Sequence, residues 1–145
     1  MIVTVTLNPS IDRTAPIAGP LRRGQVNRLG SSTEVAAGKG VNISRVLRGA
    51  GIETCAVVPA GAKGRLTLGL SHDDIPHLVV PVAAAVRTNL TITEPDGTTT
   101  KINEPGSDLS SEELTAVEEA IVEKSFGAQW VVLSGSLPPG VPTHW

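Results

Sequence analysis

Two short β-branched segments on either side of a helical pattern are the feature that most limits the folds open to this chain. Ile2–Leu7 and Thr54–Val58 are short and rich in β-branched or apolar residues, and an apolar stripe with helical spacing runs from Ile43 to Ala50. Strand, helix and strand in that order predict a βαβ unit with a parallel sheet. A further buried strand, Trp130–Leu133, follows an amphipathic helix that starts at the capping-box sequence Ser110–Glu113.

A second group of short strands is predicted outside that unit. Ile11–Ile17 and Gln25–Val35 have the composition of strands, and the Ser and Thr content of Gln25–Val35 predicts an exposed one. Thr88–Thr93 and Thr98–Asn103 flank Pro95-Asp96-Gly97, which predicts a hairpin. The apolar face of this hairpin is thin, so we expect it to be one-sided and to lie over another part of the molecule.

Composition excludes several classes of function. The 145 residues carry 12 basic and 14 acidic side chains, so a net charge of -2 offers no basic field for nucleic acid. Cys55 is the single cysteine, which rules out a disulfide framework and a multi-cysteine metal site. Met1–Leu7 lacks the features of a signal peptide, and no apolar run approaches the ~18 residues of a membrane span. We expect a cytoplasmic domain without nucleic-acid, membrane or metal contacts.

Polar side chains collect in turns, among them those after the predicted strands where open α/β sheets bind ligands, and on the exposed strands and hairpin. They comprise a carboxylate, an amide, cations, hydroxyls and a glycine-rich helix start: Asp12, Asn42, Arg28, Arg87, Lys101, Ser134, Ser136 and Gly38-Lys39-Gly40. Taken one at a time, each is as readily explained as an ordinary turn or surface residue. Together they suit a phosphosugar, because a carboxylate and an amide can bind vicinal hydroxyls while arginines and a helix start favour phosphate.

The glycines at the helix start do not match the two common nucleotide-binding patterns. Gly40 stands where a Walker A loop needs Ser or Thr, and Ile43 stands where a dinucleotide fingerprint needs its last glycine. A nucleotide-binding Rossmann module is therefore disfavoured.

Six motifs in a fixed order carry a family resemblance. They are Thr4–Asp12, Val26–Arg28, Gly38–Leu47, Arg87–Asn89, Lys101–Gly106 and Val132–Gly140. In this order and at this length they resemble the PfkB (ribokinase-like) carbohydrate kinases, in the branch of 1-phosphofructokinase and tagatose-6-phosphate kinase. The resemblance implies an α/β fold with a mostly parallel sheet flanked by helices and a small β-lid over the sugar site. Residues 1–145 would be the N-terminal part of such a kinase domain, with lid strands around 11–17, 25–35 and 88–103.

The resemblance also implies roles for particular residues. Asp12, Gly38, Lys39, Gly40 and Asn42 fall on the sugar-binding positions of the family. Positions on or near those that hold the phosphosugar are occupied by Arg28, Arg87, Lys101 and Ser136. Asn103 and Ser134, which lie in the same motifs, complete the predicted set of substrate-binding residues.

The activity implied for the complete enzyme is transfer of the γ-phosphoryl group of MgATP to fructose 1-phosphate or tagatose 6-phosphate, with a homodimer contact through the lid. The family's Gly-Ala-Gly-Asp motif, which supplies the catalytic base, does not occur in this sequence, so no catalytic residue is expected in it. The last predicted strand also lacks a crossover helix after it, which predicts an incomplete fold without its C-terminal half. We therefore expect the chain alone to be inactive and to bind neither ATP nor Mg²⁺. The alternative is a non-catalytic module for phosphosugar binding or assembly.

Overall fold

The computed structural model describes all residues from Met1 to Trp145 and contains two four-stranded sheets. In chain order its elements are β1 (Ile2–Val5), β2 (Ser10–Pro16), β3 (Thr33–Ala37), α1 (Lys39–Gly49), β4 (Thr54–Ala60), α2 (Arg65–His72), β5 (His77–Pro81), β6 (Arg87–Thr93), β7 (Thr99–Asn103), α3 (Ser111–Ser125) and β8 (Trp130–Leu133). The first sheet has the strand order β5-β4-β1-β8, and the second has the order β3-β2-β6-β7.

The first sheet is parallel throughout and is covered by helices on both faces. Ala56 and Val58 of β4 share a core with Leu66 of α2, whereas Val57 between them shares a core with Val117 of α3. Successive residues of a strand face opposite sides, so α2 and α3 lie on opposite faces. The predicted α/β architecture with a mostly parallel sheet is confirmed.

Buried hydroxyl groups connect α1 to the first sheet. Thr4 Oγ1 lies 2.8 Å from Ser44 Oγ, which lies 2.9 Å from Thr54 Oγ1. Thr54 Oγ1 in turn donates to the Ile2 carbonyl oxygen at 2.9 Å. Each of these buried hydroxyls therefore has a partner, as a polar group in a core requires.

Strand β2 of the second sheet has one apolar and one polar face. In β2, Ile11 and Ala15 are buried, while Asp12 and Thr14 alternate with them and are exposed. Ile11 packs into the same core as Leu66 of α2. The polar face of β2 carries Asp12, whereas Ile102 of the predicted hairpin, on the opposite face, is 56% exposed.

The prediction of a strand at Gln25–Val35 is wrong for most of that range. A strand forms only at Thr33–Ala37, and residues 25–32 contribute a single isolated bridge. The Asn27 side chain accepts from the Arg22 amide at 2.9 Å and donates to the Arg22 carbonyl oxygen at 2.8 Å. Such local side-chain-to-backbone hydrogen bonds compete with strand pairing, which explains the turn.

The predicted start of α3 is confirmed. Ser110 Oγ accepts from the Glu113 amide at 3.1 Å, and the Glu113 carboxylate accepts from the Ser110 amide at 2.8 Å. None of the three helices combines the length and apolar character that crossing a membrane requires.

Candidate functional site

Asp12 lies in a row of polar residues across the second sheet. On β2 it is in register with Asn89 of β6, and Asn89 is in register with Asn103 of β7. Residues in register point to the same face of a sheet, so these three side chains stand side by side. Asn89 Nδ2 and Ser10 Oγ both donate to Asp12 Oδ1, at 2.9 and 2.8 Å. Asp12 Oδ2 has no donor within the chain and is free to accept hydrogen bonds from a ligand.

Arg87 connects the second sheet to the loop after β1. Its Nη1 donates to the Glu104 carbonyl oxygen and its Nη2 to the Asn8 carbonyl oxygen, both at 3.2 Å. Asn8 Nδ2 donates to the Pro105 carbonyl oxygen at 3.0 Å and to Ser136 Oγ at 3.2 Å. The loops that follow β1, β7 and β8 therefore meet at one place.

The start of α1 lies against the end of β1, which requires glycine. A Cβ atom on Gly40 would stand 2.5 Å from Thr6 Oγ1 and 2.7 Å from the Val5 carbonyl oxygen. Gly38 has φ of +132°, which L side chains rarely adopt, and its Cβ would also collide with Thr6. Thr6 Oγ1 accepts from the Val41 amide at 3.0 Å, which satisfies one of the free N–H groups at the helix start.

The loop after β8 lies beside the same helix start. The Ser134 amide donates to the Val5 carbonyl oxygen at 3.2 Å. A Cβ built on Gly135 would be 3.9 Å from the Cβ of Lys39. Lys39, Ser134 and Ser136 therefore belong to one region, where the positive end of the α1 dipole favours an anion.

The cations predicted for the site are among those without an ionic partner. Four arginines form ion pairs with carboxylates: Arg13, Arg45, Arg48 and Arg65. No ion pair involves any of the four predicted site cations: Arg28, Lys39, Arg87 and Lys101. Unpaired positive charge attracts anionic ligands, so this distribution suits a phosphate group.

Not every predicted residue reaches the row around Asp12. Lys101 is in register with Thr91, in the next polar row of the second sheet. Arg28 precedes Leu29, which forms an isolated bridge with Ile17. This bridge lies beyond Pro16, at the opposite end of β2 from Ser10. Asn42 Oδ1 accepts from Arg45 Nη1 at 2.7 Å, so this amide oxygen is engaged within α1.

Two residues of the region were not singled out from the sequence. Asn8 and Asn89 both lie within motifs that carry the family resemblance, but neither is among the predicted substrate-binding residues. Asn89 touches Asp12 across 77 positions of sequence, and Asn8 touches Ser136 across 128. The only available signal for Asn89 was an Asn inside a β-branched strand, where this residue is uncommon.

No cluster of three or more His, Cys, Asp or Glu side chains that could hold a metal ion is present. Burial raises the pKa of the Cys55 thiol, and nearby Lys124 offsets this only in part. Cys55 is a free, buried residue of β4, in agreement with a packing role.

Comparison with known proteins gives relatives along nearly the entire chain. The sequence is 32% identical over 145 residues to a 1-phosphofructokinase of Vibrio cholerae, covering 97% of this chain and 44% of that protein. It is 36% identical over 143 residues to a 1-phosphofructokinase of Xanthomonas campestris, covering 97% of this chain and 45% of that protein. The sequence is also 32% identical to an ATP-dependent 6-phosphofructokinase isozyme 2 of Mycobacterium tuberculosis, covering 99% of this chain and 43% of that protein. No family model matches the chain.

Solved structures agree with these relatives. Phosphofructokinase-2 of Escherichia coli, crystallised with fructose-6-phosphate, superimposes with a TM-score of 0.89 and 28% identity, covering 97% of this chain and 47% of that one. A possible 1-phosphofructokinase of Thermotoga maritima superimposes with a TM-score of 0.84 at 30% identity, covering 98% of this chain and 47% of that one.

The parallel sheet flanked by helices, the second sheet and the polar strand ends between them define a ribokinase-like α/β fold. Along nearly its whole length the chain is similar to relatives named 1-phosphofructokinase and 6-phosphofructokinase, which fits the N-terminal part of a PfkB-type carbohydrate kinase. It spans less than half the length of the curated relatives it matches.

Proposed function

We propose that this chain forms the sugar-phosphate-binding part of an ATP-dependent sugar-phosphate kinase. Fructose 1-phosphate is the proposed acceptor, and tagatose 6-phosphate is the alternative. The observation that carries the proposal is the Asp12 carboxylate, which is held at Oδ1 by two donors while Oδ2 is free, on an exposed polar face. The names of the relatives support the class of reaction.

In this proposal different residues recognise the sugar hydroxyls and the phosphate. The free oxygen of Asp12 accepts hydrogen bonds from sugar hydroxyls, and the neighbouring Asn103 amide adds donors and an acceptor in the same row. Lys101, Arg87 and Lys39 supply positive charge for the phosphate, since no carboxylate neutralises them. Ser136 and Ser134 complete the lining from the loop after β8.

ATP, as the second substrate of the complete enzyme, would supply the γ-phosphoryl group with Mg²⁺. The sequence contains no Gly-Ala-Gly-Asp motif, so the catalytic base of the proposed reaction is assigned to residues outside these 145. The role of this chain is then to bind and orient the acceptor, which lowers the barrier by positioning. We propose in addition that the second sheet covers the sugar and provides a homodimer contact.

Isothermal titration of the 145-residue chain tests the proposal. We expect fructose 1-phosphate or tagatose 6-phosphate to bind, and Asp12→Ala to weaken binding by roughly 10- to 100-fold, because a charge-assisted hydrogen bond is lost. Lys101→Ala is expected to weaken binding more at low salt than at high salt. Lys124→Ala removes the same charge beside Cys55, at the amino ends of the strands of the first sheet, and serves as the matched control.

The possible outcomes separate the kinase from the alternatives. Absence of binding by the wild-type chain at saturating sugar phosphate would contradict the proposal. Binding without phosphoryl transfer from MgATP is the expected result for this chain. If the protein carrying this sequence at its natural full length also binds without turnover, the non-catalytic binding module is favoured over the kinase.

A further inference from the structure

We infer that Asn89 is a positioning residue for sugar recognition: it fixes the Asp12 carboxylate so that one oxygen faces the ligand. This inference rests on the proposed function. Its starting point is that Asp12 Oδ1 receives two donors, Ser10 Oγ at 2.8 Å and Asn89 Nδ2 at 2.9 Å. Ser10 comes from the same strand as Asp12, whereas Asn89 comes from the neighbouring strand β6.

A donor from a second strand restricts the carboxylate in a way that Ser10 alone does not. Asp12 is exposed, so without an outside constraint its carboxylate can rotate about the Cβ–Cγ bond. Donors from two strands on one oxygen restrict this rotation, and Oδ2 receives no donor from the chain. A ligand then meets an oriented acceptor and loses less conformational entropy of the protein on binding.

The other end of the Asn89 amide shows that the bond to Asp12 determines its orientation. Asn89 Oδ1 is buried and has no hydrogen-bond partner. Turning the amide over would place Oδ1 against Asp12 Oδ1, and two acceptors repel each other. The side chain thus keeps an unsatisfied buried carbonyl in order to donate to Asp12, although such a group is unfavourable for folding.

The sequence around Asn89 supports a role beyond sheet formation. Its neighbours on β6 include the β-branched residues Thr88, Thr91 and Ile92. Asn is depleted in strands, so a residue selected only for pairing at this position would be β-branched or aromatic. The Asn is accounted for by its bond to Asp12.

Titration of the 145-residue chain with fructose 1-phosphate, or with tagatose 6-phosphate if only that ligand binds, tests the inference. Asn89→Ala is expected to weaken binding about 10-fold, through loss of a hydrogen bond to a charged group. Asn89→Asp has nearly the same size but replaces the donor by a like charge, and is expected to weaken binding further. Thr93→Ala, on the same strand and face two rows away, is the control and should change affinity less than about twofold.

A double-mutant cycle separates positioning from a general structural effect. If Asn89 acts through Asp12, Asn89→Ala costs much less affinity in the Asp12→Ala background, which has no acceptor for the Asn89 amide, than in the wild type. An equal loss in both backgrounds, or a loss of affinity matched by a loss of thermal stability, would overturn the inference.

The inference can fail independently of the proposed function. If wild type binds and Asn89→Ala binds equally well, the positioning role is wrong and the proposed function stands. If wild type binds neither sugar phosphate, the proposed function fails, and side-chain amide NMR of the free chain decides the role of Asn89. We then expect Asp12→Asn to shift the Asn89 Nδ2 resonances and leave those of Asn27 unchanged; unshifted Asn89 resonances would refute the contact.

Discussion

At the scale of single residues, close backbone packing decides which side chains the strand ends can present. The start of α1 approaches β1 so closely that Gly40 has the oxygens of Thr6 and Val5 within 2.7 Å of where a Cβ would be. This approach brings Lys39 to the loop that carries Gly135. The glycines thus act on the candidate site indirectly, through the position of the helix.

The contribution of Gly40 can be measured against another glycine of the same helix. Gly40→Ala is expected to destabilise the chain by about 3 kcal/mol, because the obstacle includes a backbone carbonyl that cannot rotate away. Gly49→Ala meets nothing within 4 Å and is expected to be neutral or to stabilise by up to ~1 kcal/mol through better helix propensity. Urea unfolding of both variants tests this; equal stabilities would show that α1 can shift away from β1.

At the scale of elements, α3 is tied to the rest of the fold through its first turn. The Glu113 carboxylate accepts from the Ser110 amide and from the Ala83 amide, each at 2.8 Å. It therefore caps its own helix and also holds the loop between β5 and β6. These hydrogen bonds, that of Ser110 first, hold the pKa of Glu113 below its usual value.

This cap predicts a pH-dependent contribution to stability. Because the folded-state pKa of Glu113 is lowered, its contribution is complete above the unfolded pKa of about 4.3 and is lost as pH falls through the folded value. Glu113→Gln is expected to lower the thermal midpoint at neutral pH, and the difference from wild type should vanish in acid. Glu119→Gln, on the same helix, is the control for loss of charge. A difference that persists undiminished in acid would contradict the ionic role of the cap.

At the scale of the whole molecule, the first sheet has an apolar edge at β8. Three large apolar side chains in this part of the chain are largely exposed: Phe126 at 78%, Trp130 at 70% and Leu133 at 58%. An edge strand with apolar side chains presents both unpaired backbone groups and hydrophobic surface. Such a surface favours pairing of β8 with another protein molecule.

We expect the 145-residue chain to associate beyond a dimer in solution, through β8. Leu133→Lys and Trp130→Lys should each lower the apparent mass measured by light scattering, because charge on an edge strand opposes pairing. Val46→Lys changes a side chain of α1 that is 71% exposed, away from β8, and is the control. A monodisperse monomer at high concentration would refute the expectation, and unchanged mass in the β8 variants would exclude this edge as the contact.

Local sequence patterns determined the type and order of the main elements. Periodicity identified β4 and α1, and the Ser110 capping box gave the start of α3. These features depend on residues a few positions apart, whose interactions are the same in any context. The strand expected at Gln25–Val35 failed for a related reason, because the local bonds of Asn27 outweigh its strand composition.

The tertiary structure alone decided how the candidate site is assembled. Sheet register placed Asn89 beside Asp12, 77 residues away, and loop packing placed Asn8 against Ser136. It also buried Ser44 and Thr4 as a bonded pair in the core, although both are polar. Hydrophobic patterning specifies which face of a strand is buried. It does not specify which polar side chain of another strand becomes the neighbour, since this depends on strand order and register across the whole chain.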